Sequence, residues 1–315
     1  MSLQSKPIKL NKNMGNEIHK QSKSYLTFNR FYIIESLDAN EGDQYTGTML
    51  LDSLRDVIQT RPCLGVEVFE IDTYADYKQL MSDILTDSQG GNSPIIHFEI
   101  HGADDMSGLY LNSGEIVQWR EVLSDLTQIN YACNCNLMAT FAVCYGLHIA
   151  EFINTDRLMP FCMSVGSFKE LLEDDLIVRY QEFYRVFLTR LNIDEAFDAL
   201  VKANPRIDNE YSILKADVLF TRVQYGYLTT QCTRTQLKLR AESEIKNNPA
   251  KFAGMSKEGI RQFIKDFRRQ ERIKHEDYYL EGMKRYYNLN LHPENRDRFL
   301  IFDSTSDLVN AFNND

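Results

Sequence analysis

Two short segments combine residue types that can do chemistry with a position at the end of a strand-like run. The first is His97-Phe-Glu-Ile-His101-Gly102, which leads into Ala103-Asp-Asp-Met-Ser-Gly108. The second is Phe141-Ala-Val-Cys144-Tyr-Gly146, an uncharged run that ends on a thiol. A thiol of ordinary pKa, about 8.5, is a poor nucleophile at neutral pH until an imidazole takes its proton or stabilises the thiolate. Gly102 has no side chain, so its backbone N–H can approach a substrate carbonyl closely, and the N–H of Cys144 can point at the same oxygen. Two donors on a tetrahedral oxyanion imply acyl transfer, hence peptide hydrolysis. The residues alone also allow a plain alternative, a buried thiol and a strand-end histidine with no shared task.

For imidazole and thiol to meet across 43 residues, their strands must be neighbours in one sheet. The hydrophobic periodicity predicts such a sheet. Phe28–Glu35 is a short apolar run, and Met49, Leu50, Leu54, Val57 and Ile58 recur at helical spacing. Gly65–Ile71 alternates as a strand, Asp76–Leu85 is helical, and Pro94–Ile100 is again a strand. After a short excursion at Leu109–Gly114 come a helix from Trp119 to Leu126 and an apolar strand over Asn136–Val143. A helix over Leu147–Ile153, a strand over Met159–Val165, a long helix with Leu176, Tyr180, Phe183, Tyr184, Phe187 and Leu188 on one face, and a helix over Ile193–Val201 follow. This alternation predicts an α/β fold with a mostly parallel sheet, and in such sheets ligands sit at the carboxyl ends of the strands. Residues 213–240 read either as a last sheet element or as a linker, and from Ser256 onward the chain reads as polar helix.

The 315 residues suffice for one large domain with an appendage. The formal charge of −10 argues against a surface that wraps nucleic acid or coats an acidic membrane. Residues 241–290 carry 11 Lys and Arg against 8 Asp and Glu, a net +3, which leaves −13 for the remainder and marks a seam. No run of about 18 apolar residues occurs, the first 27 residues are polar, and six cysteines are too few for a disulfide scaffold in this length. The expected setting is therefore cytoplasmic and reducing, with no membrane partner.

The ordered set of blocks resembles the CHAT branch of the caspase-like cysteine peptidases over about residues 28–205. The blocks are Ile96–Gly102, Leu109–Gly114, Leu137–Gly146, Pro160–Ser167, Asp174-Asp175, Phe183-Tyr184 and Ile193–Phe197. The resemblance implies a three-layer α/β/α sandwich over 28–210, preceded by a flexible lead at 1–27 and followed by a mainly helical region at 211–315. It also implies that His101 is the base, Gly102 and Cys144 the oxyanion donors, and Cys144 the nucleophile, with no cofactor and no metal. Val143 and Tyr145 depart from the family's usual smaller neighbours of the cysteine. A catalytically inactive relative that binds a protein is the alternative. The family's settings, regulated proteolysis and bacterial defence through gasdermin-like pore-formers, belong to the resemblance.

In the caspase-like fold, the loop after the first strand and the loop after the His-Gly strand wall the pocket for the side chain before the cleaved bond. Here those loops carry Glu35, Asp38, Glu41 and Asp43, and Asp104 and Asp105. That composition predicts a preference for Arg or Lys, unless it merely reflects an acidic chain. His97 and Glu99 share a strand face with His101, as supporting residues or as satisfied core polar groups; His97 and His101, about 13 Å apart on a strand, are no metal pair. Cys133-Asn-Cys135 with His148 falls short of a four-ligand zinc pattern. The stripe Ile260, Phe263, Ile264 and Phe267 is expected to pack on the core or to dock an activating or sensor protein. Asp266, Glu271, Glu276 and Asp277 interrupt the basic face and make nucleic acid an unfavoured partner.

Overall fold

The computed structural model describes residues 26–38, 43–208 and 210–313. Most of the expected lead, residues 1–25, and Glu41 lie outside them. The described residues divide into two compact units, one within 26–154 and 158–216, the other within 155–157 and 217–313.

In the first unit, β1 (Arg30–Ser36), α1 (Thr46–Gln59), β2 (Gly65–Glu70), α2 (Tyr74–Gln89) and β3 (Pro94–Gly102) alternate in that order. A hairpin of β4 (Gly108–Tyr110) and β5 (Ile116–Gln118), then α3 (Trp119–Ala132) and β6 (Met138–Ala142), continue the chain. A 3-10 segment (Gly146–Phe152), β7 (Met163–Ser167), α4 (Glu173–Arg190), α5 (Ile193–Ala203) and β8 (Tyr211–Lys215) complete it. Among the described residues eight strands form one sheet in the order β2-β1-β3-β6-β7-β8, with the β4–β5 hairpin attached to β3. The first five of that path run parallel, and β8 is antiparallel to β7.

Central strands β3 and β6 are buried on both faces, and apolar residues fill them apart from His97, Glu99 and His101 on β3 and Thr140 on β6. On one face Tyr32, Ile34, Ile96, Phe98, Ala139 and Phe141 pack against Tyr77, Leu80 and Ile84 of α2 and Val122, Leu126 and Ile129 of α3. The opposite face carries Phe31, Ile33, Ile95, His97 and Thr140 and meets α1 and α4, with Phe31 against Tyr184 at 4.6 Å. The result is a three-layer α/β/α sandwich with a mostly parallel sheet. Thr73 and Asp76 close a capping box that starts α2, and Asn192 caps α5. Arg179 is fully buried: it pairs with Asp175 at 2.7 Å and donates to the carbonyls of Leu200, Val201, Asn204 and Ile207, tying α4 to the end of α5.

Two expectations change. Residues 211–216, assigned from the sequence to the C-terminal region, join the first unit, because β8 pairs with β7 from Ser167–Tyr211 to Met163–Lys215. Most of 213–240 is neither sheet nor linker but the helices α6 (Ala216–Gln231) and α7 (Arg234–Asn247).

The second unit is helical: α6 and α7 are followed by α8 (Pro249–Phe252), α9 (Lys257–Tyr286), α10 (Asn295–Arg298) and α11 (Thr305–Asn313). Its core gathers Phe220, Tyr279, Tyr286, Tyr287 and Phe299. Part of the apolar stripe finds its partner inside this unit, with Phe263 edge-on to Phe252 at 4.7 Å. Among the described residues no helix is long and apolar enough to cross a membrane.

Candidate functional site

The register of β3 and β6 runs from Ile95–Met138 to Glu99–Ala142. His101 and Cys144 each stand two residues beyond that last pair. Side chains alternate along a strand, so His97, Glu99 and His101 share the α1 and α4 face with Thr140 and Ala142, and Cys144 follows in the turn after β6. Gly102 lies against the backbone of Cys144: a methyl group on Gly102 would overlap the Cys144 carbonyl. The structure thus brings the two strand ends together. It does not join imidazole and thiol by a hydrogen bond.

Cys144 is half-buried, and its Sγ is held by the segment after β7. The Leu171 N–H donates to Sγ at 3.3 Å, and Sγ lies 3.7 Å from the Leu171 carbonyl oxygen. Burial pushes the thiol pKa up, the Leu171 N–H opposes this, and the carboxylates of Glu170 and Asp104 push it further up. Tyr145 takes the left-handed conformation at φ 62°, and its N–H donates to the Lys169 carbonyl at 3.0 Å. Its ring stacks edge-on to His148 at 6.1 Å, while Val143 is buried in the core under the sheet.

His101 is bound elsewhere. Its Nε2 lies 2.9 Å from Asp43 Oδ2, and its side chain is 52% exposed. Burial alone would raise the Asp43 carboxyl, but the hydrogen bonds from His101 and from the Asp38 N–H, with the imidazole charge, hold it below its ordinary value. Asp43, expected from the sequence to line a specificity pocket, is the partner of the histidine.

Beneath them runs a buried polar chain. Tyr184 and Thr140 share a hydrogen bond of 2.5 Å, Thr140 meets His97 Nδ1 at 2.7 Å, and His97 Nε2 meets Glu99 Oε1 at 2.8 Å. Thr46 donates to Glu99 Oε2 at 2.7 Å. Glu35, side by side with Glu99 in the β1–β3 register, accepts from the Gly47 N–H at 2.8 Å and from the Thr48 hydroxyl at 3.2 Å. Burial raises the Glu35 carboxyl against the Gly47 hydrogen bond, and the neighbouring Glu99 adds to the rise. His97 and Glu99 thus link β3 to Thr140 of β6 and to the start of α1, and they make no hydrogen bond to His101.

Of the other acidic candidates, Asp105 caps its own turn by accepting from the Ser107 N–H at 3.0 Å, and Asp104 is exposed. Glu35 and Asp38 line a cavity of about 410 Å³ together with Tyr45, Glu70, Asp72 and Asn112. Glu70 and Asp72 were not singled out in the sequence, although Glu70 ends β2 in register with Glu35 on β1. The cavity walls are joined by Asn112 Nδ2, which donates to the Leu37 carbonyl at 3.2 Å and to Asp72 at 3.1 Å. Glu170 and Leu171, which touch or polarise the thiol, carried no sequence signal, because they lie in an irregular segment without period. Cys133, Cys135 and Cys162 are buried, and among the described residues no group of three or more His, Cys, Asp or Glu is arranged to hold a metal ion. The chain matches no known protein-family model and no curated protein.

Proposed function

We propose that this chain is a caspase-like cysteine endopeptidase with Cys144 as nucleophile and His101 as base. One observation carries the reading: His101 and Cys144 stand equally far, two residues, beyond the last pair of the adjacent parallel strands β3 and β6, with Gly102 against Cys144. His101 takes the Sγ proton, and the thiolate attacks the scissile carbonyl carbon. An S–C bond forms while the carbonyl π pair moves onto oxygen, where the N–H groups of Gly102 and Cys144 hold the charge. Collapse re-forms the carbonyl and breaks the C–N bond, and the leaving amine takes the proton from the imidazolium. Water then attacks the thioester, giving a proton to His101, and departure of the acid returns the thiol.

The protonated, Leu171-bound thiol supports a resting state of a regulated, cytoplasmic enzyme. Turnover requires residues 168–172 to release Sγ, so that it comes within hydrogen-bond reach of His101 Nδ1, a change that a substrate, sensor or activator brings about. The carboxylates of Asp104, Glu170 and the cavity favour a cationic side chain before the cleaved bond; a peptide library cleaved after Asp or large apolar residues overturns that preference. Bacterial defence through a gasdermin-like substrate is the setting that the family resemblance suggests.

The second reading is a pseudopeptidase acting as a protein-binding module. It is favoured by the thiol's engagement with Leu171. A peptidyl acyloxymethyl ketone separates the two: Cys144 labelling that vanishes in His101→Ala supports the enzyme. No labelling with any candidate activator, together with a Cys144→Ala variant that keeps every cellular effect, favours the module.

A further inference from the structure

We infer that Asp43 is the positioning residue of His101, so that the proposed pair works as a Cys144–His101–Asp43 triad whose third member is delivered by the turn before α1. The inference rests on the peptidase reading and goes beyond it, because nothing in the His-Gly or Cys segments points to residue 43.

The contact is direct, Nε2 to Oδ2 at 2.9 Å, and among the described residues His101 Nδ1 has no hydrogen-bond partner. A carboxylate at Nε2 fixes the tautomer with the proton on that nitrogen, which leaves the Nδ1 lone pair to accept the thiol proton. It also stabilises the imidazolium that forms, without itself taking the proton. The hydrogen-bonded carboxyl of Asp43, held below its ordinary range, is ionised at neutral pH and suits that task.

The carboxylate is itself held in place. Oδ2 accepts from the Asp38 N–H at 3.0 Å, and the Asp43 N–H returns a bond to the Asp38 carbonyl at 3.3 Å. Three of the next four residues are pinned to the sheet face and to α4: the Gln44 N–H to Glu173 at 2.9 Å, the Thr46 hydroxyl to Glu99 at 2.7 Å and the Gly47 N–H to Glu35 at 2.8 Å. Two buried carboxylates thus anchor the helix start that carries Asp43. This gives the Glu35, Glu99 and His97 chain a purpose that burial alone does not, since a group must be held to within about 0.5 Å to orient another productively.

The test uses full-length protein and two readouts. In protein with 15N-labelled histidine rings, at mildly alkaline pH, wild-type His101 is expected to be the Nε2–H tautomer with a bare Nδ1, and Asp43→Ala to give a mixture. Under the conditions that activate the protein, Asp43→Asn and Asp43→Ala are expected to slow alkylation of Cys144 by a peptidyl acyloxymethyl ketone, which forms a thioether and expels the carboxylate, on the order of 10²-fold or more. Half-saturation should stay within about threefold, and Asp43→Glu should recover part of the rate. Unchanged near-ultraviolet circular dichroism shows that the variants fold.

A tautomer indifferent to Asp43 overturns the inference while leaving the peptidase reading intact. A tautomer that changes with alkylation unaffected by Asp43→Ala but abolished by His101→Ala reduces the bond to a structural one and also overturns it. Alkylation indifferent to both His101 and Asp43 overturns the peptidase reading and the positioning role together.

Discussion

Gly102 and Cys144 approach so closely that the position of the Gly102 hydrogen leaves no room for a methyl group: any Cβ there would run into the Cys144 carbonyl. The glycine is thus required for the two strand ends to lie side by side, whatever its N–H does for a substrate. Gly102→Ala is expected to cost about 1–3 kcal/mol through forced separation of the strand ends. Urea denaturation measures the loss, and alkylation of Cys144 by iodoacetamide should change with it. Native stability in Gly102→Ala would contradict the close approach.

The thiol is held up in pKa by burial and by the nearby negative charges of Glu170 and Asp104. Removing a negative neighbour favours the thiolate, so Glu170→Gln and Asp104→Asn should each raise the rate of Cys144 alkylation near neutral pH. Both residues are exposed, so a gain of about two- to fivefold is expected, shrinking at high salt. A slower reaction in either variant would reverse the sign assigned to these carboxylates.

Glu35 has a raised carboxyl, chiefly from burial and with Glu99 beside it. Folding therefore favours its protonated form, a contribution fully present below the ordinary carboxylate pKa and lost as pH rises through the raised value. At neutral pH Glu35→Gln, which can still accept from the Gly47 N–H, is expected to unfold at higher urea than wild type, by about 0.5–2 kcal/mol. The two proteins should converge as the pH falls below the carboxylate range. A difference independent of pH would assign the effect to packing.

Arg179 saturates its guanidinium with one buried carboxylate and four carbonyls. Arg179→Met keeps the apolar stem but leaves Asp175 charged and buried without its partner, an expected loss of about 3–5 kcal/mol in chemical denaturation. The double variant Arg179→Met with Asp175→Leu should recover part of it, because the uncompensated charge is then gone.

The strand–helix alternation was readable before any coordinate, since buried strands and one-sided helices impose different hydrophobic periods on the chain. The helical spacing of Met49, Leu50, Leu54, Val57 and Ile58 falls inside α1, and the strand expected over Pro94–Ile100 appears as β3 within two residues at either end. The run over 211–215 escaped because five residues carry too little pattern, and only their antiparallel pairing with β7 makes them a strand. The following residues, rich in β-branched and aromatic side chains, form a helix whose aromatic Phe220 is rewarded by tertiary packing rather than by propensity.

The sequence by itself determined the local facts at the candidate site: a strand that ends in His101-Gly102, another that stops just before Cys144, and acidic loops near both. Periodicity reports which face of an element is buried, and that is a local property. Only the tertiary structure decided which acids meet which groups. Asp43 bonds His101, Glu35 turns in to the start of α1, and Leu171 holds the thiol. Those pairings join residues 12 to 58 positions apart through irregular backbone, where hydrogen-bond geometry rather than hydrophobic period selects the partner.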